Sequence, residues 1–332
     1  MKKSIVALAV SSAALASVSA YAAEDTSLDF YGNIQYAFAN SEANGAGSDF
    51  QDNGSTLGVK GDSKVTDDIT AFFKYELEFK ADNQADRDND YSGSKLDQAY
   101  VGVKGNFGKV TVGTHDTIYN NAIQDAVDQF EYFGIDSIGG SSQGDTITYF
   151  SPSMSGFEVQ LAVQTKGSAV DGEDNDGSYS GNAPMAVLKY SNDLVSVALG
   201  YDSRENTAAS DADSATGLAV TVTPMDNLSI TAKYETLEDT ADYIGLAARY
   251  GYGMGDVYGS YTNVDMDDSS LNDYNQYAFG VTYSINSSMY VYAEAGTFGR
   301  DGHSTTNTTT GVVTVTSDEN YSAQVVGVTY IF

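Results

Sequence analysis

The sequence predicts an all-β chain, a transmembrane antiparallel β-barrel of about 16 strands. Three observations predict it. Apolar and polar residues alternate with period two in segments from Leu28 to Phe332. The connections between those segments switch between tight turns and long loops. The chain also opens with a segment of the kind that directs export.

That opening segment is MKKSIVALAVSSAALASVSAYA. Two lysines precede an apolar stretch from Ile5 to about Leu15, and small residues end in Ala20-Tyr21-Ala22. The apolar stretch is short for a helical span of roughly 20 residues, and a small-residue site follows at once. Residues 1–22 are therefore expected to be a cleaved signal peptide, and 23–332 a single β-barrel domain. No later segment offers a long uninterrupted apolar run.

The strands follow in order. In ITAFFKYELEFK (69–80), Ile69, Ala71, Phe73, Tyr75, Leu77 and Phe79 share one face, while Lys74, Glu76, Glu78 and Lys80 lie on the other. FEVQLAVQ (157–164), LSITAKYE (228–235) and YAFGVTYS (277–284) repeat the pattern. Strands are expected over 28–40, 55–65, 67–81, 95–106, 108–116, 144–151, 156–166, 184–191, 194–204, 215–224, 227–237, 241–251, 256–264, 274–285, 288–299 and 320–332. Tight connections such as SKVTDD, GNFGK and TPMDN alternate with longer ones, among them 41–54, 82–94, 117–143 and 300–319. One end of the sheet thus carries turns, and the other carries long, mostly acidic loops.

A soluble β-sandwich alternates too, but its strands run nearer five or six residues. Many here are long enough to cross a bilayer at a tilt. Tyr190, Tyr201, Tyr234, Tyr250, Tyr283 and Tyr330 fall on the apolar parity near strand ends, as interfacial girdles do. The final run NYSAQVVGVTYIF sets Val326, Val328, Tyr330 and Phe332 against Ala323, Val325, Gly327 and Thr329. Its bulky face is expected to touch lipid and its small face the lumen. Pairing with LDFYGNIQYAF would leave no open edge.

Composition narrows the chemistry. With 46 acidic against 16 basic residues, the net charge is −30, which argues against nucleic acid as a partner. There is no cysteine, hence no disulfide or thiolate. There are two histidines, His115 and His303, and a single unpartnered histidine rarely makes a Ser-His-Asp site. DGEDNDG (171–177) misses the register of a calcium-binding loop. No catalytic residue, metal site or cofactor is expected.

Several stretches carry a family resemblance: LDFYGNIQYAF, QAYVGVKGNFGKVTVGTHD (98–116), DTITYFSPSMSGFEVQLAV (145–163) and the closing VGVTYIF. Across the mature chain the sequence resembles the Gram-negative general porins, trimeric outer-membrane diffusion channels. That resemblance implies a third loop folded into the pore, here 117–143, with Asp125, Asp128, Glu131 and Asp136 as constriction acids and no basic residue. The facing wall would hold Lys60, Lys74, Glu76, Lys80, Lys104, Lys109 and His115, mostly lysines where the family usually sets a stronger basic cluster. It also implies an assembly signal at Phe332, Tyr330 and Val328, read by the barrel-assembly machinery. The implied setting is a homotrimer in the lipid and lipopolysaccharide of a Gram-negative outer membrane.

The expected function is passive diffusion of ions and small hydrophilic solutes through a water-filled channel, with acidic mouths favouring cations. Two alternatives stay open. Phe72, Tyr100, Phe150, Tyr290 and Tyr292 lie on lumen parity and could guide a sugar through a substrate-specific channel. A non-conducting structural or adhesin barrel would share the same strand pattern. An enzyme is not expected.

Overall fold

The computed structural model describes residues 26–42, 47–82, 94–135, 137–138, 144–165, 182–204, 214–269, 271–299, 304–306, 313–315 and 320–332. The expected signal peptide, Asp136, His303 and the DGEDNDG segment lie outside the described residues.

The strands run β1 (Thr26–Ser41), β2 (Gly47–Asp52), β3 (Ser55–Lys64), β4 (Ile69–Phe79), β5 (Ser94–Gly105), β6 (Gly108–Thr114) and β7 (Thr146–Phe150). They continue with β8 (Phe157–Thr165), β9 (Asn182–Ser191), β10 (Val195–Asp202), β11 (Ala215–Met225), β12 (Leu228–Leu237) and β13 (Ala241–Gly251). After these come β14 (Asp256–Met266), β15 (Tyr274–Asn286), β16 (Met289–Phe298), a small hairpin of β17 (Ser304–Thr306) and β18 (Val313–Val315), and β19 (Tyr321–Ile331). Each strand pairs antiparallel with its neighbour, and β19 returns to β1. β2 and β3 are two halves of one stave, so the closed barrel has 16 strands.

The closure is tight. Asn33 faces Ile331 and Ser41 faces Ala323 across the β1–β19 seam. The N–H and C=O of Phe332 both bond to Gly32 at 3.0 Å. Among the described residues the barrel wall leaves no open edge. A Cβ on Gly32 would meet the Phe332 ring at 2.9 Å, so the glycine makes room for that ring.

Period two appears as two surfaces. Phe30, Phe38, Val101, Leu161, Leu199, Phe279 and Val326 stand exposed on the outside. Tyr201, Tyr234, Tyr250, Tyr283 and Tyr330 join them near strand ends. In water such a belt would be costly; against hydrocarbon it is the favourable arrangement. Ala198, Ala215, Ala219, Ala241, Ala247 and Ala278 are buried on the inner face. The core therefore lies inside the barrel, between the wall and one loop.

The structure adds a strand that the sequence reading left inside the 41–54 loop. β2 pairs from Ser41↔Gly47 to Tyr36↔Asp52, extending the hairpin beyond the expected boundary. Its residues GSDFQD hold one large apolar side chain, Phe50, which lies opposite Phe38 of β1, so no run of alternation marks them as a strand. Asp52 then turns the chain into β3, accepting the Gly54 N–H at 3.0 Å.

Candidate functional site

The connection after β6 turns into the barrel. Thr117 caps a short helix, α1 (Ile118–Ala122), by accepting the Asn120 N–H at 3.0 Å. A 3₁₀ turn, Gln124–Val127, follows. Ile118, Tyr119, Ile123 and Val127 are fully or almost fully buried against the inner wall. Each such side chain contributes about 1.5–3 kcal/mol by leaving water.

Glycines make the seat. Tyr119 and Ile123 press on Gly200 of β10 and Gly217 of β11, and Val127 presses on Gly245 of β13. A Cβ at Gly200 would come within 2.7 Å of Ile123 and one at Gly245 within 2.8 Å of Val127. The backbone of β10, β11 and β13 is bare where the loop needs to approach.

Polar anchors then tie the loop backbone. Lys233 Nζ donates to the Gln124 carbonyl and to Glu235 Oε2, both at 3.0 Å, with both side chains fully buried. Ser260 Oγ donates to the Val127 carbonyl. Arg249 lies 4.3 Å over the Tyr258 ring, donates to Gln129 and faces Asp256 at 3.3 Å. Glu294 on β16 collects the backbone N–H groups of Glu131 at 2.6 Å and of Tyr132 and Phe133 at 3.2 Å. Tyr258 Oη donates to the same carboxylate at 2.7 Å. Asn53 reaches the Glu131 carbonyl at 2.7 Å from the other side.

The loop acids differ in position. Asp125 is exposed to the lumen and accepts from Asn120 Nδ2 at 2.6 Å. The enclosing walls, then the negative charge of Asp116, raise its carboxyl to about 6. Asp128 is half-buried and accepts the Phe130 N–H at 3.2 Å. Burial raises it to about 6 despite that bond. Glu131 accepts the Tyr290 hydroxyl at 2.7 Å.

The helix and 3₁₀ turn lean on β8 to β13. Glu131 and Tyr132 reach Asn53 and Gln51 at the end of β2, and the wall from β3 to β6 carries Lys60, Lys74, Lys104 and Lys109. On that wall Lys60 and Lys74 share the Tyr31 ring, at 5.1 and 5.7 Å. Lys74 also bonds Glu76 Oε1 and Gln98 Oε1 at 3.0 Å, and Gln98 passes on to Asp116 at 3.1 Å. Lys104 and Lys109 face each other across the β5–β6 hairpin beside its tight turn, over the rings of Phe72 at 5.8 Å and Phe150 at 3.8 Å. Lys80 stands exposed just past β4, at the loop end. His115 is only 7% exposed. Its Nδ1 meets the Asp116 carbonyl at 2.8 Å, so it carries the proton, and its Nε2 faces Thr148 Oγ1 at 3.3 Å. It braces the start of the loop. Phe332, Tyr330 and Val328 sit together on the outside of the β1–β19 seam.

Sequence reading missed Glu294, Lys233, Arg249, Tyr258 and Asn53. A charged residue on the inner parity of β12, β13 or β16 was a visible sign. Its partner was not, because Glu294 binds a backbone 163 residues away.

A family model described as Gram-negative porin matches residues 5–330. The chain belongs to the Gram-negative porins. The porin is 34% identical to the "Monosaccharide porin" of a Halomonas species and to the "Major outer membrane protein" of Halomonas elongata, each over 100% of both chains. It is 29% identical to the "Outer membrane porin PhoE" of Klebsiella pneumoniae over 61% of this chain and 56% of that one. Among solved structures it superposes on the "Anion-selective porin from Comamonas acidovorans" with TM-score 0.70 and 17% identity, covering 93% of this chain and 100% of that chain. It also superposes on OmpT of Vibrio cholerae, described in a trimer form, with TM-score 0.67, 17% identity and the same coverage. This porin is thus an outer-membrane channel protein, and the inward loop with the wall it faces forms its candidate conduction path.

Proposed function

We propose that this porin is a passive, cation-preferring diffusion channel for ions and small hydrophilic solutes, assembled as a homotrimer and lacking catalytic activity. One contrast carries the ionic part. Lys74, Lys233 and Arg249 each stand within 3.3 Å of a wall carboxylate, so much of their charge is cancelled at short range. Asp125 is exposed to the lumen, bonds the Asn120 amide and forms no ion pair among the described residues. Opposite charges across a wet narrowing then leave a negative surplus on the loop side. Both His115 nitrogens are engaged, which speaks against a hydrolytic site. The trimer form of the Vibrio cholerae neighbour supports trimerisation. Outer-membrane lipid, lipopolysaccharide and the barrel-assembly machinery complete the proposed partners, the last through Phe332, Tyr330 and Val328.

The test is conductance in a planar bilayer under a salt gradient. Openings in steps of three are expected, with a cation-selective reversal potential that weakens in Asp125→Asn. An unchanged potential in that variant would remove the loop from the selectivity.

A second reading, a sugar-selective channel, has its own support. Tyr31, Phe72, Tyr100 and Phe150 place rings along the wall from β1 to β7, and a full-length relative is named for monosaccharides.

A further inference from the structure

Beneath α1, between the loop and the wall from β5 to β9, lies a cavity of about 300 Å³. That is the lower end of the range for small-molecule sites, roughly 300–1,000 Å³. We infer that it is a binding subsite for a neutral polyol of monosaccharide size. The inference rests on the sugar-channel reading and gives it a location.

Three features select that class. First, the cavity offers apolar ring surface: Tyr100 and Phe150 both line it. Tyr100 is fixed edge-to-face against Phe72 at 6.3 Å and His115 at 5.7 Å, so its ring does not have to be ordered by a ligand. The C–H face of a sugar ring packs on such a surface. Second, hydrogen-bonding groups of both signs surround the rings. Lys109 and Lys189 line the cavity and form no ion pair among the described residues, leaving ammonium N–H groups for hydroxyl oxygens. Asp116 and Gln160 supply acceptors. Third, the charges balance. Lys189 lies opposite Glu158 in the β8–β9 register, Glu158 is also the acid that acts on Lys109, and Asp116 lines the cavity itself. With Asp116 in the lining and Glu158 beside its two lysines, the site gains little from a net ion, whereas hydroxyl groups can donate to one sign and accept from the other.

The niche lies on the tight-turn side of α1, with Ile118 lining its loop side. A solute passing the loop would meet it next.

Purified full-length channel in a planar bilayer, titrated with D-glucose, provides the test. Ion current is expected to fall saturably with glucose. In Tyr100→Ala and in Lys189→Met, both still conducting, the half-saturating concentration is expected to rise about ten-fold. Current that falls only with the conductivity of the solution would overturn the subsite and leave the diffusion channel standing. So would saturation that both variants retain unchanged, or saturation by glycine without saturation by glucose. A folded barrel with no current at all would overturn the channel reading as well.

Discussion

Glu294 Oε2 accepts the backbone N–H of Tyr132 at 3.2 Å, joining β16 to the second half of the inward loop. The same carboxylate takes two more loop N–H groups and the Tyr258 hydroxyl. Bonds to an ionised acceptor are stronger than neutral ones, about 1.5–3 kcal/mol each. Glu294→Ala should free the loop's second half by roughly 3 kcal/mol or more. The expected outcome is a larger and noisier single-channel current, with a melting profile of the barrel close to wild type. Glu294→Gln should fall between the two.

The first half of the loop rests on glycine instead. Ile123 touches Gly217 where a side chain would stand. A methyl group there overpacks a rigid seat, at a cost of about 1–3 kcal/mol. Gly217→Ala should displace α1 toward the lumen. A reduced conductance in a normally folded barrel is the expected reading, and an unchanged conductance would mean that the seat yields.

Asp125 and Asp128 give the channel a pH dependence near 6. Their carboxyls are raised in the folded state, so the stability they lend to loop docking is fully present below the unfolded Asp range. It is lost as pH rises through about 6. Lumen water screens part of this for the exposed Asp125. Two effects should follow on acidification from pH 7.5 to 5: cation preference falls as two negative charges are neutralised, and current noise from the loop decreases. Reversal potential and noise spectra at stepped pH measure both. In Asp125→Asn/Asp128→Asn the wild-type change over this window should be largely absent.

The seam between Phe332 and Gly32 separates folding from assembly. The two backbone bonds of Phe332 survive Phe332→Ala, since they use N–H and C=O groups only. Refolding into detergent should then change little. If the ring is the assembly signal, the amount of barrel reaching the outer membrane in cells should fall severalfold. Equal losses in both measurements would assign the ring to stability instead.

Much of the barrel could be read from the chain because strand period and barrel surface are the same fact. Phe73 and Tyr75 alternate with Lys74 and Glu76 in sequence, and they stand outside and inside in the structure. β2 could not be read that way, since Gly47–Asp52 holds a single large apolar side chain, Phe50, and so no period-two run. The loop was partly legible. Its acids and its lack of lysine or arginine stood out, and so did the lumen parity of Lys74, Lys104 and Lys109. What holds it was not, because the anchors answer backbone groups. Nothing about Glu294 or Gly217 names Tyr132 or Ile123 as its partner until β11 and β16 are curled around the same space.

Swelling of liposomes containing the purified wild-type protein, in a series of neutral solutes from glycerol to a trisaccharide, tests the open, loop-narrowed lumen most directly. Rapid swelling with the smallest solutes and a steep fall with size are the expected result. No swelling with any solute, from protein that is folded and inserted, would contradict it.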